Sequence, residues 1–571
     1  MFLGSEFPFR TMHGRILLSR RRWLETAAAE SFIAPFTKPM LSVFAILACL
    51  TADGPALADD SIRFPTIGTS AEQTATLLVI DNHCLPLRKN LCIYMSKPRV
   101  RKEPVLRPTR NDPDAPDWRY AIFYGTVLHD QGKFRMWYYG GGKERGNGPI
   151  CYAESDDGLT WIKPKLGQML IKGSRQNNAI ALPDDRTQGV YIVKEDDDPD
   201  PNRRYKMLYE NHSPELTCMS VRTATSPDGL NWTAGPELPI RDGLEPSSLY
   251  KHNNLYFVGA QFAPFNMSEG GHRGGRQGFV WISPDFKTWI AESGESFLLP
   301  EWENKQHRGL GGLYPQVHLG VAPMSMENVL VGLTCIWDPT NPDKTDWFGP
   351  GTTFGDFALV VSNDGQHFRE PVKGHIFIHR NESSADDSLP EGIRSEHVLC
   401  QGNGILNHGD KTLIYHGRWA NTEKYEDLYS EIALAELPRD RWGALGLYPQ
   451  VYDQVEAATE GSVWSAPVTL PQAPCTVSLN GDGVAGMRVE IANERFELLS
   501  DYSEEHAGVP ALDDGLDCPV KFPNGSLAGL GGKTVRLRVH LKKGAHAEPR
   551  LYAVYLNSQN SRKHAQEKVQ P

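Results

Sequence analysis

The sequence predicts an all-β protein, a five-bladed β-propeller followed by a C-terminal β-sandwich, on three observations. A hairpin motif, Ser-x-Asp-Gly-x-x-aromatic, recurs along the middle of the chain; each copy follows the same succession of strand-like runs; and from about Gly461 this grammar gives way to short strands cut by Gly, Asn and Pro.

The motif reads "ESDDGLTW" to Trp161, "SPDGLNW" to Trp232, "SPDFKTW" to Trp289 and "SNDGQHF" to Phe368, with Phe286 standing where the other copies have Gly. Ser and Asp bond the turn backbone, Gly takes the positive φ, and the aromatic folds back to pack between neighbouring sheets. Before each turn lies an alternating, β-branched and aromatic run such as "ICYAES", "VRTATS", "GFVWIS" or "FALVVS", the signature of antiparallel hairpins. The anchors are 71, 57 and 79 residues apart, room for one four-stranded blade each. Innermost strands are expected in "YGTVLHD" (124–130), "GVYIVKE" (189–195), "SSLYKHNNLYFVGA" (247–260), "ENVLVGLTCIW" (327–337) and "GNGILNHGDKTLIYHG" (402–417). The propeller is thus assigned to 85–455 after an N-terminal linking segment 59–84, the sandwich to 456–557 and a polar tail to 558–571.

Composition narrows the function classes. The 571 residues are 40% hydrophobic and 23% charged, ordinary for a folded protein, and 13 Trp, 20 Tyr, 53 Gly and 41 Pro suit a turn-rich β architecture. A net charge of -11 argues against a general affinity for nucleic acid or anionic membrane. Near the N-terminus, the apolar run Leu41–Leu50 is preceded by Lys38 and the cluster Arg20–Arg22 and followed by the small-x-small site Ala56-Leu57-Ala58. This reads as a secretory signal cleaved after Ala58, too short to span a bilayer, so a periplasmic or extracellular location is expected. A lipoprotein site at Cys49 is the minor alternative. The other cysteines are scattered singly, with no zinc-type spacing; a Cys84–Cys92 disulfide is open to an exported chain, but buried thiols are the simpler reading.

The ordered hairpins with "YGTVLHDQGKFRMWYYGG", "YAESDDGLTWIKPKLG" and "GGKTVRLRVHLKKG…LYAVYL" resemble the furanosidase-like glycoside hydrolases, the family 32, 43 and 68 group with its five-bladed propeller, family 32-like N-terminal region and C-terminal sandwich. The resemblance implies a glycosidase acting on a carbohydrate substrate through carboxylates at the propeller axis. In that group the site lies where the innermost strands begin. Glu245, in "RDGLEPSSLY", stands where the group often carries its acid; Asn111-Asp112-Pro113 is similar to the invertase nucleophile motif, although about ten residues separate it from the strand, and Asp117 lies nearer. Glu396 and His397 precede the fifth inner strand in the same way. Arg394 and Tyr314 complete a sugar-binding rim, and Trp118 and Trp337 offer stacking platforms. Asp184 and Asp185 precede the second inner strand without the group's Arg-Asp-Pro and read as loop.

No metal site or cofactor is predicted. The acidic stretches 196–202 and 338–346 lack calcium-loop spacing, though a structural calcium at either stays open. "GGHRGGRQG" (270–278) is a flexible basic loop placed to cover the pocket and meet an acidic sugar. Two rivals stand beside the glycosidase: a non-catalytic carbohydrate-binding propeller, favoured by the missing motifs, and a six-bladed sialidase, which needs an arginine triad.

Overall fold

The computed structural model describes residues 60–142, 148–184, 187–211, 220–239, 245–262, 266–268, 271–273, 276–299, 316–339, 353–383, 389–393, 398–421, 427–450, 456–525, 527–544 and 548–558. The expected signal segment and the tail 559–571 lie outside them. The described chain is nearly all β, its helical turns being short 3₁₀ segments.

Antiparallel sheets follow one another along the chain. The first joins Tyr120–Asp130, Lys133–Gly141 and Ile150–Ser155; the second Thr187–Lys194, Tyr205–Asn211, Ser220–Ser226 and Thr233–Glu237; the third Glu245–His252, Leu255–Phe262, Gln277–Ser283 and Gly294–Phe297. A larger sheet begins with Gln316–Met326, Val329–Pro339 and Thr353–Ser362, and passes through a parallel pairing of Gly355 with Val398 to Lys411–Ala420, Tyr429–Pro438 and Arg99–Val100. The fourth inner strand therefore lies one strand earlier than the sequence suggested: "QVHLGVAPMSM" takes that place and Val329–Pro339 is its partner.

The leading strands of these sheets lie side by side in chain order, and the series returns to its start. Thr126 Oγ1 donates to the Val190 carbonyl and accepts from the Ile192 amide, Ser248 Oγ donates to the Val321 carbonyl, and Asn403 closes the circuit through backbone bonds with Gly125 and Val127. The Asn403 side chain bonds Leu249 N, Leu249 O and Ile192 O, tying the second and third leading strands to the last.

The hairpins form as their residues dictate. Ser155 Oγ accepts from the Gly158 amide, Asp157 Oδ1 accepts from the amides of Leu159 and Thr160 at 2.7 Å each, and Trp161 Nε1 donates to the Gly158 carbonyl. The copies at Ser226 and Ser362 repeat the Ser–Asp bonding. Each turn is also gripped by the preceding sheet. Trp137 Nε1 donates to the Gly229 carbonyl, Tyr250 Oη to that of Gly365, and Tyr415 Oη to that of Gly158, so the last grip brings the end of the series back to its beginning.

Two seven-stranded sheets complete the chain, and they draw on both ends of it. Ile62–Phe64, Thr69–Ala71 and Leu87–Lys89 join Glu460–Trp464, Val468–Thr469, Arg488–Asn493 and Thr534–Lys542, while Thr74–Leu78 and Leu91–Met95 pair with Arg550–Ser558 and Gly443–Leu447. The stretch read from the sequence as a linking segment is thus paired backbone, and its Ile62, Phe64, Leu77 and Leu78 are fully buried. Seven cysteines, Cys84 and Cys92 among them, are free thiols; all but Cys92 are buried and act as small apolar core residues.

Candidate functional site

The leading strands begin at one end of their sheets, and the register shows which side chains meet there. Gln188 is paired with Glu210, Glu245 with Gln261, Gln316 with Trp337 and Val398 with Trp419. One cross-strand tier of four pairs, drawn from three sheets, is therefore mostly polar or aromatic. Just beyond it, the leading strands lose register between Ile122 and Thr126, Gln188 and Val190, Pro246 and Ser248, and His318 and Ala322. Such bulges bend a strand and re-aim its side chains. The last one puts buried Leu319 at a φ of 67°, with Gly320 beside it at 97°. Gln401 holds this turn by donating its amide to the carbonyls of His318 and Gly320 at 2.6 and 2.7 Å.

Glu245 sits in the middle of this tier, half-buried, and accepts a hydrogen bond from Gln261 Nε2. The Gln261 amide can face only one way, because its oxygen already accepts from Leu319 N at 2.8 Å and Arg276 Nη1 at 3.0 Å. Burial raises the pKa of Glu245, while the Arg276 guanidinium and a Tyr124 hydrogen bond pull it back. Glu210, fully buried, is pushed well above the carboxylate range by burial and then by the charge of Glu245. Two carboxyls thus share a dry site in which both cannot comfortably ionise.

Arg276 is the cation of the cluster. Its guanidinium lies 5.3 Å over the Trp337 ring, its backbone amide donates to Gln316 Oε1, and burial lowers its pKa to about 10. His318 packs 4.7 Å from Trp337 and 5.4 Å from Trp419; burial and Arg276 depress its pKa far enough to keep the imidazole neutral. Tyr124 closes the group, 5.5 Å from Trp419.

The residues singled out from the sequence fall in different places. Glu245 is in the cluster. Trp337 is too, but it is 3% exposed, with His318 and Arg276 over its ring, so it forms a wall of the cluster rather than a presented platform. Asp117 is fully buried inside the first sheet's packing, where its Oδ2 accepts from Lys163 Nζ at 2.6 Å and Tyr138 Oη at 2.8 Å. Asp112 is exposed and caps its own turn by accepting from the Asp114 amide. Trp118 is half-buried, with Arg110 4.4 Å over its ring. Tyr314, Arg394, Glu396 and His397 lie outside the described residues. Asp184 is held by Arg222 and Tyr209, and Asp198 by Lys206 at 2.5 Å.

Glu210, Gln261, Gln316 and His318 were not legible as site residues, and Arg276 was seen only as part of a basic loop. The usable signal was a polar residue ending an otherwise apolar second strand, as in "YKMLYE" or "LYFVGAQ". Chemically, the arrangement offers one partly exposed and one buried carboxyl, one fixed cation, several amides and two indoles.

No family model matches the sequence, and no curated protein matches it. The fold is similar to that of a β-1,2-mannobiose phosphorylase from Listeria innocua, at 13% identity over 61% of this chain and 96% of that one, TM-score 0.39. It is also similar to a glycoside hydrolase family 43 arabinoxylan arabinofuranohydrolase from Bacillus subtilis, at 9% identity over 80% of this chain and 99% of that one, TM-score 0.35. A third similar structure is an α-L-arabinofuranosidase from Podospora anserina in complex with cellotriose, at 9% identity over 61% of this chain and 98% of that one, TM-score 0.38.

Proposed function

We propose that this chain is an exported glycoside hydrolase: a five-bladed propeller with a sandwich formed by its two outer sheets, cleaving a poly- or oligosaccharide at the axial end where the leading strands begin. The observation that carries this reading is a partly exposed carboxyl, Glu245, beside a second and fully buried one, Glu210, where polar side chains of three sheets converge. In this reading Glu245 protonates the glycosidic oxygen as its bond to the anomeric carbon breaks, and water supplies the oxygen that bonds to that carbon, losing its proton to a carboxylate. Burial raises the pKa of Glu245 and so favours the protonated form this step needs, with Glu210 as a second, buried carboxyl beside it. Glu396, two residues before Val398 in the sequence, is the carboxylate assigned to the opposite face of the sugar, with His397, Arg394 and Tyr314 on the rim.

Incubation of the full chain with a panel of plant and algal polysaccharides and aryl glycosides tests the proposal. Reducing ends should appear from at least one substrate and fall by about a thousandfold or more in Glu245→Gln. The non-catalytic reading gains one specific support, the capture of Asp117 by Lys163. It predicts glycan binding by both proteins and hydrolysis by neither.

A further inference from the structure

One outer sheet carries a groove unlike the rest of this acidic chain. Along Thr534–Lys542 burial alternates strictly, so Arg536, Arg538, His540 and Lys542 share the outward face. The register aligns Lys89, Ser462, His540 and Arg488 in one row across four strands, and Trp464, Arg538 and Glu490 in the next. The first row and Arg538 line a cavity of about 500 Å³ that also takes in Asn90, Glu460 and Lys542.

Its charges divide into two layers. Glu490, buried beneath, accepts from His540 Nε2 at 2.7 Å and lies 3.6 Å from Arg538, so this pair is neutralised internally. Lys89, Arg488 and Lys542 are exposed and form no ion pair among the described residues, against a single carboxylate, Glu460, on the groove wall. Three exposed cations on a chain of net charge -11 are a local reversal of sign, with Arg488 also acting on Glu490 beneath. Beside the groove, Arg538 lies 5.1 Å over Trp464 and Arg536 4.1 Å over Phe496, whose ring is 41% exposed. Arg536 Nε and Nη1 already donate to the Glu494 and Ser465 carbonyls and Arg538 faces Glu490, so what these stacks add beside the groove is a fixed aromatic surface.

We propose that this groove is a second binding site, for an anionic oligosaccharide, separate from the axial cluster. Cations spaced across strands match charges repeated along a glycan chain, and the adjoining aromatic surface suits sugar rings. The assignment does not depend on the axial site being catalytic.

Calorimetric titration of the full chain in a Glu245→Gln background tests it, with oligogalacturonate as the carboxylated probe, a sulfated galactan oligosaccharide as the sulfated one, and a neutral arabinan oligosaccharide and single-stranded DNA as controls. Binding of at least one anionic glycan should weaken tenfold or more in Arg488→Glu/Lys542→Glu, and between 50 and 200 mM salt, with the arabinan unaffected by either change. Whichever anionic probe binds identifies the charged group. Lys89→Gln alone, which touches no buried partner, should give a smaller loss in the same direction. Equal affinity in wild type and both variants, no binding of either anionic glycan, or DNA bound as tightly as the glycan would each overturn the assignment.

Discussion

Glu210 shows how one buried side chain can set the behaviour of its neighbour. Its pKa is raised by burial and by Glu245, so the folded protein holds a proton that the unfolded chain, with an ordinary value near 4.5, has released at neutral pH. Stability must therefore fall as pH rises from that value through the raised one, and level off above it. Glu210→Gln removes the slope. We expect the variant to be the more stable protein at pH 8 in urea unfolding, with the advantage shrinking as pH falls towards the ordinary carboxyl value. The raised pKa of Glu245 has its own cause, burial, opposed by Arg276 and a Tyr124 hydrogen bond. Because the acid assigned at Glu245 works protonated and burial raises its pKa, kcat/KM of the proposed hydrolase should fall on the alkaline side and hold at low pH, a profile that Glu245→Gln should lack.

At the scale of an element, the hairpin turn is where sequence reasoning reached furthest, because Ser, Asp, Gly and the aromatic act within seven residues and need nothing from elsewhere. Phe286 is the informative exception. It takes a φ of 57° where Gly158, Gly229 and Gly365 have values of 72–83°, yet its ring is 2% exposed and packs against Tyr256 and Trp289. The left-handed backbone costs about 1 kcal/mol, and deleting a buried Phe ring costs about 3–5 kcal/mol. Burial wins. Phe286→Gly should therefore destabilise by about 2–4 kcal/mol despite the backbone it relaxes, measured by chemical denaturation. The site was less legible because it depends on register. Glu245 was found as an acid directly ahead of a strand. Glu210 and Gln261 become visible only once the strands are paired, and Arg276 only once the strand it precedes is placed. Asp117 satisfied the same rule as Glu245 but was claimed by Lys163, a residue 46 positions away that no local pattern could connect to it.

For the whole molecule, the series of sheets is held in a circuit by few groups, and Asn403 is the most connected of them. Asn403→Ala deletes its bonds to Leu249 and Ile192 and strands buried carbonyls, so a loss of about 2–4 kcal/mol is expected in equilibrium unfolding, with enzyme kinetics changed less than stability. The recurring hairpins made this circuit foreseeable. What they could not show was that strands within residues 60–95 pair with strands about 350 to 480 positions later, since pairing such as that between Thr74–Leu78 and Arg550–Ser558 leaves no trace in local periodicity.

The proposed proton transfer from Glu245 is tested most directly by comparing two leaving groups in Glu245→Gln: the natural saccharide found in the substrate panel and its nitrophenyl glycoside, which departs without protonation. Loss of roughly a thousandfold on the saccharide with at most about a tenfold loss on the nitrophenyl glycoside is the predicted result. Equal losses on both, or no loss on either, would contradict the role assigned to this carboxyl.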